Sequence, residues 1–214
     1  MKWGLIAALL LAGCSPSGST ADRPKLSLLT AASLFWGEGD IAAVVQGKAA
    51  RPALIQHLDS AWQVVPLDIA RPEPLKSVSM LLIVQPPALA PDELVALDAW
   101  VRAGGHVLIL ADPDLRDPSA GGRGDAHQPP RETLLLPLLV HWGLMLVPDP
   151  PEAPARQIHY ADVTVDAPGS GQWQRASQDC AVLTAAIARC TLGKGVAVVV
   201  ADADFAVSPS DSTA

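Results

Sequence analysis

SMLLIVQPPALAPDELVALDAWVRAGGHVLILAD, residues 79–112, decides the fold. Met80-Leu81-Leu82-Ile83-Val84 is an unbroken apolar run, as a strand covered on both faces requires. Pro86-Pro87 ends it. Ala90-Pro91-Asp92-Glu93 then opens a helix, with a proline and two acids in the first turn, where a missing N–H costs nothing and the macrodipole favours negative charge. Leu94, Leu97, Trp100 and Val101 recur at three- and four-residue steps and predict one buried stripe. Gly104-Gly105 stops the helix. His106 to Leu110 is the next buried strand, running out into Ala111-Asp112-Pro113-Asp114. Strand, helix and strand within about 35 residues make a βαβ unit.

Upstream, Leu26–Thr30 fits a first strand, and Phe35-Trp36-Gly37-Glu38-Gly39-Asp40 reads as a glycine-punctuated loop. Asp40 can cap a short helix through Gly47, and Pro52 suits the first turn of a helix running to about Trp62. Val64 to Leu67 reads as a second strand. Downstream, Arg131 to Trp142 reads as a helix despite Pro137, and Leu144–Val147 and Ile158–Val165 as strands. Ala181 to Leu192 should hold a strand pair or one bent strand. Gly193-Lys194-Gly195 turns into a strand over Val196–Ala201. Leu26–Thr30, Met80–Val84, Val107–Leu110 and Val196–Val200 are expected to share one largely parallel sheet. The helix from Asp92 to Ala103 should pack on it, with Trp100 buried.

Half of the 214 residues are hydrophobic, which excludes a disordered chain. Fifteen basic against 22 acidic residues give a formal charge of −7, and no basic stripe survives that balance to bind nucleic acid.

Met1 to Cys14 reads MKWGLIAALLLAGC. Its apolar run is far shorter than the roughly 20 residues of a spanning helix and fits a signal peptide. Leu11-Ala12-Gly13-Cys14 resembles the lipobox of bacterial lipoproteins, which implies cleavage after Gly13 and lipidation of Cys14. The expected organisation is a signal peptide over 1–13, a lipidated tether over 14–24, one α/β domain over 25–206 and a polar tail over 207–214. Ser15 follows the lipidated cysteine in place of the aspartate that retains enteric lipoproteins at the inner membrane, which tilts the expectation toward the outer membrane. Two body cysteines remain, Cys180 and Cys190. In an oxidising compartment a hairpin between them would allow a disulfide, whereas a straight strand or a helix would hold them too far apart.

The βαβ segment resembles the central unit of GldG-like auxiliary components of ABC transporters, carried by Leu81 to Pro86, Leu89 to Leu94, Trp100 to Gly105 and Val107 to Asp112. Gly193-Lys194-Gly195 with Asp202-Ala203-Asp204-Phe205 is similar to the end of the same domain. The resemblance implies the fold of class I glutamine amidotransferases without their catalysis. The fold class is therefore α/β, a largely parallel sheet flanked by helices, flavodoxin- or amidotransferase-like, with a C-terminal β-hairpin. The implied function is that of a non-enzymatic periplasmic binding or accessory lipoprotein. Its partners would be the membrane, through the lipid, and an ABC transporter permease or another envelope protein. No cofactor is expected.

Two strand exits share a pattern, Leu110-Ala111-Asp112-Pro113-Asp114 and Val200-Ala201-Asp202-Ala203-Asp204. Ligands of open α/β sheets bind beyond the carboxyl ends of strands. If the two exits lie side by side, Asp112, Asp114, Asp202 and Asp204 converge and could bind Mg²⁺ or Ca²⁺, even as a metal-dependent hydrolase. The alternative is that each acid caps the turn that follows it. Phe35 and Trp36 either cover a ligand cleft or plug the sheet edge. An amidotransferase nucleophile would need a cysteine on a tight strand-to-helix turn, and neither Cys180 nor Cys190 has flanking glycines of that kind. The remaining reading is a purely structural envelope module.

Overall fold

The computed structural model describes residues 23–35, 53–116, 128–150, 152–160, 163–167, 171–175 and 177–207. Cys14, Trp36 and the short helix expected from Asp40 through Gly47 lie outside them. The central βαβ unit forms as its pattern requires: β3 (Met80–Val84), α3 (Pro91–Arg102) and β4 (His106–Leu110). Before it come β1 (Lys25–Thr30), α1 (Ala53–Leu58), β2 (Gln63–Pro66) and the short α2 (Pro72–Leu75). After it come α4 (Leu136–Trp142), β5 (Leu144–Pro148), β6 (Arg156–Tyr160), β7 (Val163–Ala167) and β8 (Gly171–Arg175). The chain continues through β9 (Cys180–Thr184), β10 (Ile187–Leu192), β11 (Gly195–Val200) and α5 (Asp204–Val207).

Seven strands form one sheet in the order β2-β1-β3-β4-β11-β10-β9. The first five are parallel to their neighbours, while β10 and β9 add antiparallel. The order of the parallel part is that of flavodoxin-like doubly wound sheets. The four strands expected to share a sheet do so, and the chain has the α/β class its pattern implied. Two further ribbons, β5 with β8 and β6 with β7, stand outside this sheet.

The start of α3 is fixed by Glu93, whose carboxylate reaches back to accept the Ala90 N–H at 2.8 Å and also accepts the Ala70 N–H at 3.2 Å. Its end is fixed by the two glycine motifs, which meet. The Lys194 N–H donates to the Arg102 carbonyl at 3.0 Å, and the Val196 N–H to that of Gly105 at 3.1 Å. A Cβ on Gly195 would stand 1.9 Å from the Val101 carbonyl oxygen, so only glycine lets the β10–β11 turn approach the helix. Asp98 ties α3 to α4 by accepting the Trp142 Nε1–H at 2.8 Å and the Arg102 Nε–H at 2.9 Å. Burial pushes its pKa up, but the Arg102 and Trp142 hydrogen bonds outweigh that and hold it below the ordinary carboxylate value.

Cys180 and Cys190 face each other across the β9–β10 hairpin, with Cα atoms 4.0 Å apart, and are joined by a disulfide. The hairpin reading of this segment is the one the chain adopts.

Four local readings are corrected. Trp100 is half-buried rather than buried, because its ring lies over Gly105 at the end of the helix; Ala96, Leu97 and Val101 form the sealed part of the stripe. The helix expected from Arg131 starts at Leu136, since Pro137 belongs in a first turn. Ile158–Val165 is a hairpin, with Tyr160 opposite Val163, because the apolar alternation runs on through the reversal. Finally, among the described residues the sheet is sealed on one face only. Leu81, Ile83, Val107 and Ile109 pack among α3 and α4 residues such as Leu97, Val101, Leu139 and Trp142. On the other face Leu108, in the middle of a central strand, is 39% exposed, and a cavity of about 570 Å³ opens between the sheet, Leu54 and Leu58 of α1 and Ile158 and Val165 of the β6–β7 hairpin.

Candidate functional site

Parallel pairing of β4 with β11 sets Leu110 opposite Val200. The Ala111 N–H donates to the Val200 carbonyl at 2.8 Å, so the two Ala-Asp exits leave the sheet together. Asp112, Asp202 and Asp204 converge there: one carboxylate oxygen from each lies within 4.8 Å of the others, and the three residues are 0%, 0% and 1% exposed. Asp114, the fourth expected member, does not join them. It turns toward solvent and pairs with Arg131.

Asp112 acts as a latch. Its Oδ1 accepts the Asp114 N–H at 2.8 Å and its Oδ2 the Ala203 N–H at 2.8 Å, which fastens the β11 exit to the β4 exit. Its carbonyl accepts the Thr133 N–H at 2.8 Å, and its own N–H donates to Gln85 Oε1 at 3.0 Å. Gln85 is the residue that sequence reasoning passed over. It sits at the end of β3 with φ +38°, fully buried, and its Nε2 donates to the carbonyls of Pro130 at 3.0 Å, Arg131 at 3.2 Å and Asp112 at 3.3 Å. The available signal was an uncharged polar residue closing a buried apolar strand just before Pro86-Pro87. A buried amide in such a place needs several partners.

Asp202 is treated differently. Neither carboxylate oxygen has a hydrogen bond. Burial first, then the charges of Asp112 and Asp204, push its pKa up to about 8; the amides of Phe205 and Asp204 oppose the shift from outside hydrogen-bonding geometry. Burial likewise raises Asp112 to about 7, against the Ala203 and Asp114 hydrogen bonds and with the help of the Asp204 and Asp114 charges. Asp204 accepts the Arg116 N–H through Oδ1 at 2.6 Å. Among the described residues, no Lys or Arg side chain forms an ion pair with Asp112 or Asp202. The site can therefore hold protons or a cation, and its oxygen-only donors suit a hard divalent ion.

Phe35 is half-buried against the core cluster that contains Leu26, Leu28 and Val64 and also Leu110 and Ala203, beside the acids. Trp36 lies outside the described residues. Cys180 and Cys190, joined to each other, offer no thiolate.

Residues 23–172 match the family described as an ABC-type uncharacterized transport system. The chain belongs to this family. No curated protein matches it. Among solved structures, it is similar to the exo-β-1,4-mannosidase Op5Man5 from Opitutaceae bacterium strain TAV5, at 13% identity and TM-score 0.50. That match covers 87% of this chain and 32% of the mannosidase, so the chain spans about a third of that enzyme's length, and the likeness shows the fold alone. A ThuA-like protein from Bacteroides uniformis aligns at 12% identity and TM-score 0.43, covering 85% of this chain and 83% of that one. A cytoplasmic protein from Salmonella typhimurium LT2 aligns at 13% identity and TM-score 0.43, covering 70% and 74%. As an ABC-type transport auxiliary protein, the chain joins a flavodoxin-like sheet to a sealed set of strand-end acids. Among the described residues, no helix is long and apolar enough to cross a membrane.

Proposed function

We propose that this transport auxiliary protein is a non-enzymatic accessory domain on the periplasmic side of the bacterial envelope. A lipid on Cys14 anchors it, with the outer membrane favoured, and it acts by binding an ABC permease or another envelope protein. The observation that carries this reading is the use of Asp112 as a fastener: its side chain, N–H and carbonyl are all engaged in holding strand exits together. A hydrolase built on the four acids is disfavoured by the same geometry. Asp114 points away with Arg131, and the other three are sealed from any substrate. The family match supports the transport setting, and the lipobox-like Leu11-Ala12-Gly13-Cys14 supports the anchor.

The test is in-cell chemical cross-linking of tagged wild type and Cys14→Ser, followed by identification of the cross-linked subunits. The reading expects a permease or ATPase-linked transporter subunit cross-linked to the membrane-bound wild type, and a Cys14→Ser protein released from the membrane. Equal membrane attachment of both forms would overturn the anchor. Wild type that cross-links to no transporter subunit would overturn the partner.

A further inference from the structure

We infer that Asp112, Asp202 and Asp204 form a calcium-binding site that ties the exits of β4 and β11 together. Two observations carry this independently. The first is convergence: three carboxylates from two adjacent parallel strand exits place an oxygen each within 4.8 Å of one another. The second is Asp202 itself, fully buried, with one oxygen in the cluster and neither oxygen engaged in a hydrogen bond, although the Phe205 and Asp204 amides lie near it. A buried carboxylate left without a donor is costly, and native structures supply a proton or a cation in such places. Asp112 stays available despite its latch role, because each carboxylate oxygen accepts one N–H and keeps a second lone pair.

Geometry selects the ion. Calcium binds oxygens at about 2.3–2.6 Å, so its ligand pairs reach about 5 Å apart, which spans this cluster. Magnesium, at about 2.0–2.1 Å, insists on a near-ideal octahedron and keeps several waters, for which a cluster of residues at most 1% exposed leaves little room. Calcium also tolerates irregular coordination, and three carboxylates can supply several of its oxygens as single or paired ligands. The site is structural: it clamps the ends of two central strands, and it does not depend on the transport partner or the lipid anchor proposed above.

The experiment uses the full chain, stripped with EDTA and titrated with CaCl₂ by calorimetry, with melting followed in parallel. One ion should bind per chain with Kd at or below about 1 mM, the range of extracellular calcium modules. A tenfold excess over Kd should raise Tm by about 3–6 °C. MgCl₂ should give a clearly weaker response. Asp202→Asn, a neutral isostere that leaves the Asp112 latch in place, should fold, as near-UV circular dichroism reports, and lose the calcium response. Asp204→Asn supplies the same reading should Asp202→Asn fail to fold. Wild type with neither heat nor Tm shift overturns the site. An Asp202→Asn chain that binds calcium as tightly as wild type also overturns it, and an equal response to magnesium overturns the choice of ion. A variant more stable than wild type in EDTA, together with a wild type indifferent to calcium, would assign the cluster to protons instead.

Discussion

Leu110-Ala111-Asp112-Pro113-Asp114 and Val200-Ala201-Asp202-Ala203-Asp204 are close to the same sentence written twice, at the ends of neighbouring parallel strands. The protein reads them in opposite ways. At the β4 exit the first acid is buried with a donor on each oxygen, and the second is exposed and paired with Arg131. At the β11 exit the first acid is buried with no donor, and the second turns inward to accept the Arg116 N–H. What separates them is the chain that follows. After Asp112, Pro113 and the Thr133 and Arg131 backbone fold back over the exit. After Asp202, α5 starts at once and places Asp204 inside. Two like motifs thus become a fastener and a charge trap.

The widest gap between them should appear on truncation. Asp112→Ala removes both acceptors and strands the buried Ala203 N–H and the part-buried Asp114 N–H. Stranded donors cost about 1–3 kcal/mol each, so a loss of about 2–4 kcal/mol is expected in urea unfolding. A loss under about 0.5 kcal/mol would show that the latch contributes nothing.

The next test opposes the exits by pH. The folded-state values of Asp112 and Asp202, about 7 and about 8, lie above the ordinary 3.8. The folded chain therefore holds protons that the unfolded chain has released. Stability from these groups is complete below pH 4 and is lost as pH rises through 7 and 8. In EDTA, wild type should be less stable at pH 8.5 than at pH 5. Asp202→Asn, which cannot ionise, should lose less over that interval, by up to about 4 kcal/mol, which is three pH units at about 1.4 kcal/mol each. Parallel pH curves for the two proteins would contradict the proton that burial holds on Asp202.

How much of this was legible can be argued from the same residues. The sheet was legible because Met80–Val84 and Val196–Val200 are continuous apolar runs, and Pro91-Asp92-Glu93 with Gly104-Gly105 marks both ends of the connecting helix. That the two glycine motifs meet was not, since contact between Gly195 and the Val101 carbonyl depends on a strand order that local pattern does not encode. The convergence of acids followed from strand ends, conditional on adjacency. Which acid would be left without donors could not be read, because hydrogen bonds to Asp112 come from residues as distant as Ala203. The hairpin over residues 156–167 was hidden by an alternation that ignores the reversal, and the half-open face by apolar runs that look alike whether covered or not.

The smallest effect falls on the fourth acid, and it sharpens the comparison by its smallness. Asp114 and Arg131 form an ion pair whose side chains are 48% and 54% exposed, so water screens the attraction and both side chains give up rotamer freedom to make it. The Asp114 backbone N–H, which the latch does use, survives any change of its side chain. Asp114→Ala should therefore cost no more than about 0.5 kcal/mol, and 0.5 M salt should erase most of the difference. Its calcium response in calorimetry should match wild type, because the carboxylate points away from Asp112, Asp202 and Asp204. If Asp114→Ala instead destabilised the chain as much as Asp112→Ala, or abolished calcium binding, all four strand-end acids would act as one unit. The division of the two exits into fastener and charge trap would then fail.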